Sequence, residues 1–188
     1  MSDRRERAEA ALARARELKG QKVEIVVAPC LFPTPPAIAR RVVELAEIEP
    51  DTRVLEPSAG TGALLDELPF AVDVWAVEIE YNLAKRLREQ YPGHSIVHGD
   101  FLKVGRELGH FDRIVMNPPF DHGSDIKHIE YARDLLASGG RLVAICADGP
   151  RQREAFAEAE LYEPLPEGTF ASQGTGVRTA IVVLEAKR

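Results

Sequence analysis

The chain has 188 residues, 45% of them hydrophobic and 29% charged, with a formal net charge of −6. That composition suits one globular domain with a real core and contains no apolar run near the roughly 20 residues that span a bilayer. It also holds no basic run of the kind that grips long stretches of duplex, where phosphate neutralisation supplies most of the affinity.

Residues 4–19 read as a helix, rich in Ala, Arg and Glu and uninterrupted until Gly20. Ala8, Ala11, Leu12, Ala15 and Leu18 form a narrow apolar stripe that would cover part of the domain or a second subunit. The alternative is a nucleic-acid arm through Arg4, Arg5, Arg7, Arg14 and Arg16, whose charge is largely offset by Asp3, Glu6, Glu9 and Glu17. The charged start has no signal-peptide apolar region. Residues 23–27 read as a short strand, so 1–30 is an N-terminal extension and 31–188 the domain proper. Cys30 and Cys146, far apart in apolar surroundings, read as reduced thiols of a cytoplasmic protein. No Cys, His or acidic cluster has metal-ligand spacing.

Thr34 is placed to cap the next helix, with Pro35 in its first turn. Ile38, Val42 and Leu45 share one face of that helix, which ends before Pro50. Arg53 to Leu55 is a short strand followed by Glu56-Pro-Ser-Ala-Gly-Thr-Gly62 and a helix over Ala63 to Leu68. Strand, glycine turn and helix make the first unit of a nucleotide-binding α/β sheet, with Gly60 and Gly62 letting backbone approach a ligand. A dinucleotide fingerprint would have a small residue at position 65; Leu65 stands there, and Glu56 adds a carboxylate where a pyrophosphate would want none.

Val72 to Val77 is the second strand, ending in Glu78. An acid at that strand end commonly holds ribose hydroxyls, and Glu80 competes for the role. A helix covers Tyr81 to Gln90. The third strand, Ile96 to His98, leads into Gly99-Asp100-Phe101. Asp100 either accepts from an adenine amino group, with Phe101 on the ring, or caps the next element.

Arg113 to Met116 is a fourth, buried strand, stopped by Asn117-Pro118-Pro119-Phe120 because proline cannot donate to a ladder. Ligands of open α/β sheets bind at such carboxyl ends. An amide, a fixed backbone carbonyl and an aromatic face suit a flat base with an exocyclic amine. A helix follows from Ser124 to Ala137, with Ile129, Ala132 and Leu136 inward and Gly139-Gly140 ending it. A fifth strand covers Arg141 to Cys146, then a helix from Pro150 to about Glu160. Two last strands, Tyr162 to Phe170 and Arg178 to Leu184, flank a loop over Ala171 to Val177.

In this order and spacing the motifs Phe32-Pro-Thr-Pro-Pro36, Glu56-Pro-Ser-Ala-Gly-Thr-Gly62, Val77-Glu78-Ile79, Gly99-Asp100-Phe101 and Asn117-Pro-Pro-Phe120 resemble those of class I S-adenosylmethionine-dependent methyltransferases. The match is to the adenine-N6 DNA type, and within it to small phage and mobile-element forms without a target-recognition domain. The resemblance covers about residues 31–184. It implies a Rossmann-like fold: a seven-stranded, mostly parallel sheet with a C-terminal antiparallel hairpin and helices on both faces. It implies S-adenosyl-L-methionine as cofactor. Phe32, Pro33 and Thr34 would meet its methionine end, with Glu56 on the ammonium and Ser58, Gly60 and Gly62 alongside. Glu78 would hold the ribose and Asp100 with Phe101 the adenine, with Ile79 also at the cofactor. Asn117, also beside the cofactor, and Pro118 would be catalytic; Phe120 would stack on the target base, with Pro119 next to it. The acceptor implied is adenine N6 in nucleic acid, DNA before RNA. Guanine N2 in RNA and protein glutamine are alternatives, and a non-catalytic cofactor-binding or assembly module is a third reading. The N-terminal helix would serve a partner subunit or a dimer, and no membrane is involved.

Overall fold

The computed structural model describes residues 32–171 and 175–187. The N-terminal helix and strand of the extension, Cys30 and the middle of the 171–177 loop lie outside the described residues.

Helix α1 (Pro36–Leu45) precedes strand β1 (Arg53–Glu56), then β2 (Asp73–Glu78), helix α2 (Tyr81–Gln90), β3 (Ser95–His98), a single turn α3 (Phe101–Val104) and β4 (Phe111–Met116). Helix α4 (Ser124–Arg133), β5 (Leu136–Ala147), helix α5 (Pro150–Ala155), β6 (Leu161–Pro164) and β7 (Thr179–Glu185) follow among the described residues. The seven strands form one sheet in the order β3-β2-β1-β4-β5-β7-β6. Pairing is parallel from β3 to β5, and β7 runs antiparallel to both β5 and β6. This is the Rossmann-like architecture the motifs imply, C-terminal antiparallel strands included.

Why the central strands read as unbroken apolar runs follows from their position. Side chains alternate across a sheet, and both faces of a parallel sheet are covered. Ile114 and Met116 join one core with Ile129 and Ala132 of α4; Val115 joins the other with Ala39 and Val42 of α1. Leu142, Ala144 and Cys146 divide from Val143 and Ile145 in the same way. A third cluster packs Ala84 and Leu87 of α2 on Val74 and Ala76. Cys146 is a free, buried thiol, and burial pushes it up to about 12.

Several elements depart from the sequence reading. Residues 63–68 form no α-helix, only a 3-10 turn at Leu65–Glu67. Helix α4 ends at Arg133, four residues early, because the chain is recruited into the sheet: Phe111 N–H donates to the Leu135 carbonyl at 2.9 Å, and Leu136 pairs with Phe111. Gly139-Gly140 therefore lies inside β5, at the register shift between the Phe111 and Arg113 pairings, and caps no helix. A Cβ on Gly140 would sit 2.8 Å from the Ala137 carbonyl oxygen, so this irregularity admits glycine alone. Helix α5 stops at Ala155 and β6 at Pro164, both short of the expected bounds. Thr34 caps nothing; Pro35 occupies the cap and Pro36 opens the helix, supplying the fixed φ that suits a first turn.

Candidate active site

The parallel strands end together. Glu56 of β1, Glu78 of β2, Asp100 after β3 and Asn117 after β4 all line one cavity of about 400 Å³. Its charge is one-sided: four carboxylates, those of Glu56, Glu78, Glu80 and Asp100, and, among the described lining residues, no lysine or arginine. A wall of that kind suits a cation and opposes a phosphate.

Glu56 is 1% exposed and accepts one backbone N–H, from Ser58 at 3.0 Å. Burial pushes its carboxyl up to about 8, the Ser58 bond holding it lower and the nearby Glu78 charge adding to the rise. The folded value lies above the unfolded one, so the native protein binds the extra proton between about pH 4.5 and 8. This group's contribution to stability is therefore lost as pH rises through that window. A cation beside Glu56 reverses the preference.

Glu78 is also buried, but well satisfied. One oxygen accepts the Gly60 N–H and the other the Glu80 N–H, each at 2.7 Å. The carboxylate thereby ties the loop after β1 to the loop after β2, and each oxygen keeps a lone pair for a further donor. Glu80, the competitor for the ribose role, also lines the cavity, but one of its oxygens, Oε2, caps α2 by accepting from the Asn82 and Leu83 N–H groups. Ile79 stands 68% exposed at the cavity, an apolar platform at the mouth. Asp100 caps the turn α3 through the Leu102 N–H at 3.1 Å and also lines the cavity. Phe101 lines the cavity while only 4% exposed, packed edge-to-face on Tyr131.

Gly60 lines the cavity, but Gly62 does not. Its φ is +90°, and a Cβ there would lie 2.6 Å from the Tyr91 hydroxyl oxygen and 2.9 Å from Cε2. Gly62 is needed because the Tyr91 ring, which donates to Asp66 at 2.6 Å, crosses it; the expectation that it lets a ligand approach is corrected. Gly62→Ala combines left-handed strain with overpacking, together about 2–4 kcal/mol. Thermal unfolding should show a midpoint lower by roughly 5–12 °C; an unchanged midpoint would mean that Tyr91 moves aside freely.

At the end of β4, Asn117 is held from a distant segment. Its Nδ2 donates to the Phe32 carbonyl at 3.2 Å and to the Thr34 hydroxyl at 3.0 Å. A carbonyl can only accept, which fixes which way the amide points. Oδ1 is left buried with no hydrogen-bond partner among the described residues. An orphaned carbonyl oxygen costs about 1–3 kcal/mol, which an N–H donor would recover. Pro118 is buried, Pro119 and Phe120 line the same cavity, and Phe120 rests edge-to-face on Phe170 at 6.3 Å. Phe32, Pro33, Thr34 and Ser58 line the cavity too.

Every residue singled out from the sequence except Gly62 thus lines one cavity. Sequence reasoning missed two contributors. His128, on α4, lines the cavity and stacks on Phe101 at 6.3 Å, and Phe170 braces Phe120. Thr34 is placed at the site by its motif, but the motif does not foretell its contact with Asn117. A lone His or Phe on an apolar helix or loop gives no signal of such contacts.

The methyltransferase small domain family matches residues 52–160, more than half of the chain. The chain belongs to this family. A curated relative from Thermococcus kodakarensis, a probable ribosomal RNA small subunit methyltransferase A, is 33% identical over 168 residues, covering 81% of this chain and 59% of its own length. The chain thus spans about three fifths of such a relative. A solved structure of a putative RNA methyltransferase from Pyrococcus horikoshii superposes with a TM-score of 0.70 at 19% identity, covering 93% of this chain and 96% of that one. An RNA methyltransferase from Salinibacter ruber, solved with S-adenosyl-L-homocysteine, gives 0.62 at 14% identity over 83% and 94%. S-adenosyl-L-methionine, the cofactor that this family implies, carries an ammonium and a sulfonium, and an acidic cavity without Lys or Arg among its described lining residues fits such a group. No helix among the described residues is long and apolar enough to cross a membrane.

Proposed function

We propose that this chain is an S-adenosyl-L-methionine-dependent methyltransferase that acts on the exocyclic amine of adenine in RNA. The observation that carries the reading is the Asn117 amide, its nitrogen satisfied and its oxygen buried without a partner at the carboxyl end of β4. An aromatic amine is a poor nucleophile because its lone pair is delocalised into the ring. Asn117 Oδ1 and the Pro118 carbonyl each accept one of its N–H groups, which favours a pyramidal nitrogen with its lone pair free. Phe120, braced on Phe170, offers its face to the base, a contact of roughly 1–3 kcal/mol. S-adenosyl-L-methionine, when bound, supplies a methyl group on a positively charged sulfur that departs as a neutral thioether. As the new N–C bond forms, the amine becomes cationic and sheds one proton toward its acceptors, so the site needs positioning more than a strong base.

Glu56 takes the cofactor's ammonium, Glu78 its ribose hydroxyls, Ile79 and Phe101 the two sides of its adenine, and Asp100 the adenine amino group. Because Glu56 ionises only near pH 8 when alone, cofactor binding is expected to release a proton and to tighten as pH rises from 6 to 7.5, by up to tenfold per unit at full linkage. Calorimetry in buffers of different ionisation heat reads both effects. Glu56→Gln should bind more weakly with neither effect; an unchanged pH slope in that variant would assign the ammonium to another group.

The Asn117-Pro-Pro-Phe120 motif resembles that of DNA adenine enzymes, whereas the relative's name points to ribosomal RNA; that name moves RNA ahead of DNA. Incubation with tritiated cofactor and separate pools of deproteinised ribosomal RNA, duplex DNA and protein decides. Label recovered as N6-methylated adenosine from RNA is the expected result. Label confined to methyladenine from DNA would restore the DNA reading, and label in guanine, in glutamine or nowhere would overturn adenine as acceptor.

A further inference from the structure

Thr34 contributes something that its place before α1 does not explain. It is 6% exposed, caps no helix, and its Oγ1 accepts from Asn117 Nδ2 at 3.0 Å. With the Phe32 carbonyl at 3.2 Å, both protons of the amide nitrogen are engaged. A side-chain amide tethered by two acceptors cannot rotate about its last torsion. One tethered by a single acceptor can tilt, leaving a buried N–H unpaired. Hydrogen bonds also polarise one another through the conjugated amide. Drawing both N–H protons toward acceptors shifts electron density onto Oδ1, the atom left without a partner.

We propose that Thr34 is a positioning residue for methyl transfer. Its hydroxyl locks and polarises the Asn117 amide so that Oδ1 is aimed and strengthened as acceptor for the target amine. This rests on the reading of Asn117 as the amine's acceptor. It goes beyond the expectation that Thr34 meets the methionine end of the cofactor. The hydroxyl reaches the reaction through Asn117, so its removal should act on the rate and leave cofactor affinity nearly untouched.

Thr34→Val keeps the shape and removes the hydroxyl; Thr34→Ser keeps the hydroxyl. With tritiated cofactor and ribosomal RNA, Thr34→Val should lower kcat by roughly 10- to 100-fold, less than loss of a direct contact to the reacting group. Its cofactor Kd by calorimetry should stay within about threefold, and Thr34→Ser should recover most of the rate. A second readout needs no turnover. In ¹⁵N-labelled protein without cofactor, the Asn117 side-chain NH₂ signals, identified by their absence in Asn117→Ala, should shift and exchange faster in Thr34→Val but not in Thr34→Ser. Wild-type kcat in Thr34→Val, a loss explained wholly by weaker cofactor binding, or unchanged amide signals would overturn the proposal. If Asn117→Ala is inactive while Thr34→Val is fully active, only this inference fails. If Asn117→Ala itself turns over normally, the reading of the site fails with it.

Discussion

Asn117→Ala is expected to lower turnover by about 10³-fold while leaving cofactor affinity within a few-fold. The substitution removes the one buried side-chain acceptor that has no partner among the described residues, and single groups aimed at the reacting centre are worth 10²–10³ in rate. Loss of the amide also disconnects the Phe32 and Thr34 segment from the end of β4, which adds misalignment of the cavity wall. Asn117→Asp should be no better. Its second oxygen would face the Phe32 carbonyl, and two acceptors at that distance repel. Single-turnover rates with saturating cofactor, beside calorimetric Kd values, separate the steps. Normal turnover in Asn117→Ala would refute the assignment of this residue.

Removing Glu78 should act on the other half of the cavity. Its two oxygens hold the Gly60 and Glu80 amides at 2.7 Å, and hydrogen bonds to a charged group contribute about 1.5–3 kcal/mol each. Glu78→Ala therefore frees the loop after β1 and deletes the proposed ribose acceptors together. Cofactor affinity should fall by about 10²-fold or more. Glu78→Gln is a harsh control, because its NH₂ would point at one of the two backbone donors. Glu80→Ala should instead cost about 1 kcal/mol at the start of α2, the usual price of a lost cap, with affinity nearly intact. If calorimetry shows Glu78→Ala binding as the native chain does and Glu80→Ala binding poorly, the two roles are exchanged.

The comparison of sequence with structure is instructive at particular residues. Glu80 and Glu78 are equivalent on paper, two acids after one strand. The start of α2 distinguishes them, since one Glu80 oxygen accepts from two first-turn amides, whereas Glu78 uses both oxygens to join two loops. Gly62 looked like a ligand-facing glycine because the turn pattern places it beside Gly60. Its true constraint is the ring of Tyr91, 29 residues away. Leu136 fits the apolar stripe of α4 by spacing, yet pairs with Phe111 in the sheet; helix propensity is a weak prior that tertiary pairing overrides.

What the amino-acid order determined alone was local. Apolar runs of strand length ended by Glu56, Glu78 or Asn117 place polar groups at the carboxyl ends of successive strands, and parallel pairing brings such ends to one edge. The acidic, glycine-turn and proline-stopped motifs needed only their own few residues to be legible. The tertiary structure alone decided which groups those polar ends meet. The hydrogen bond from Asn117 to Thr34 joins residues 83 positions apart, and no periodicity encodes a contact between a segment before the first helix and the tip of the fourth strand. That contact exists because the sheet order sets β4 beside β1, with the segment ahead of α1 crossing the strand ends, and it leaves one buried amide oxygen without a donor among the described residues.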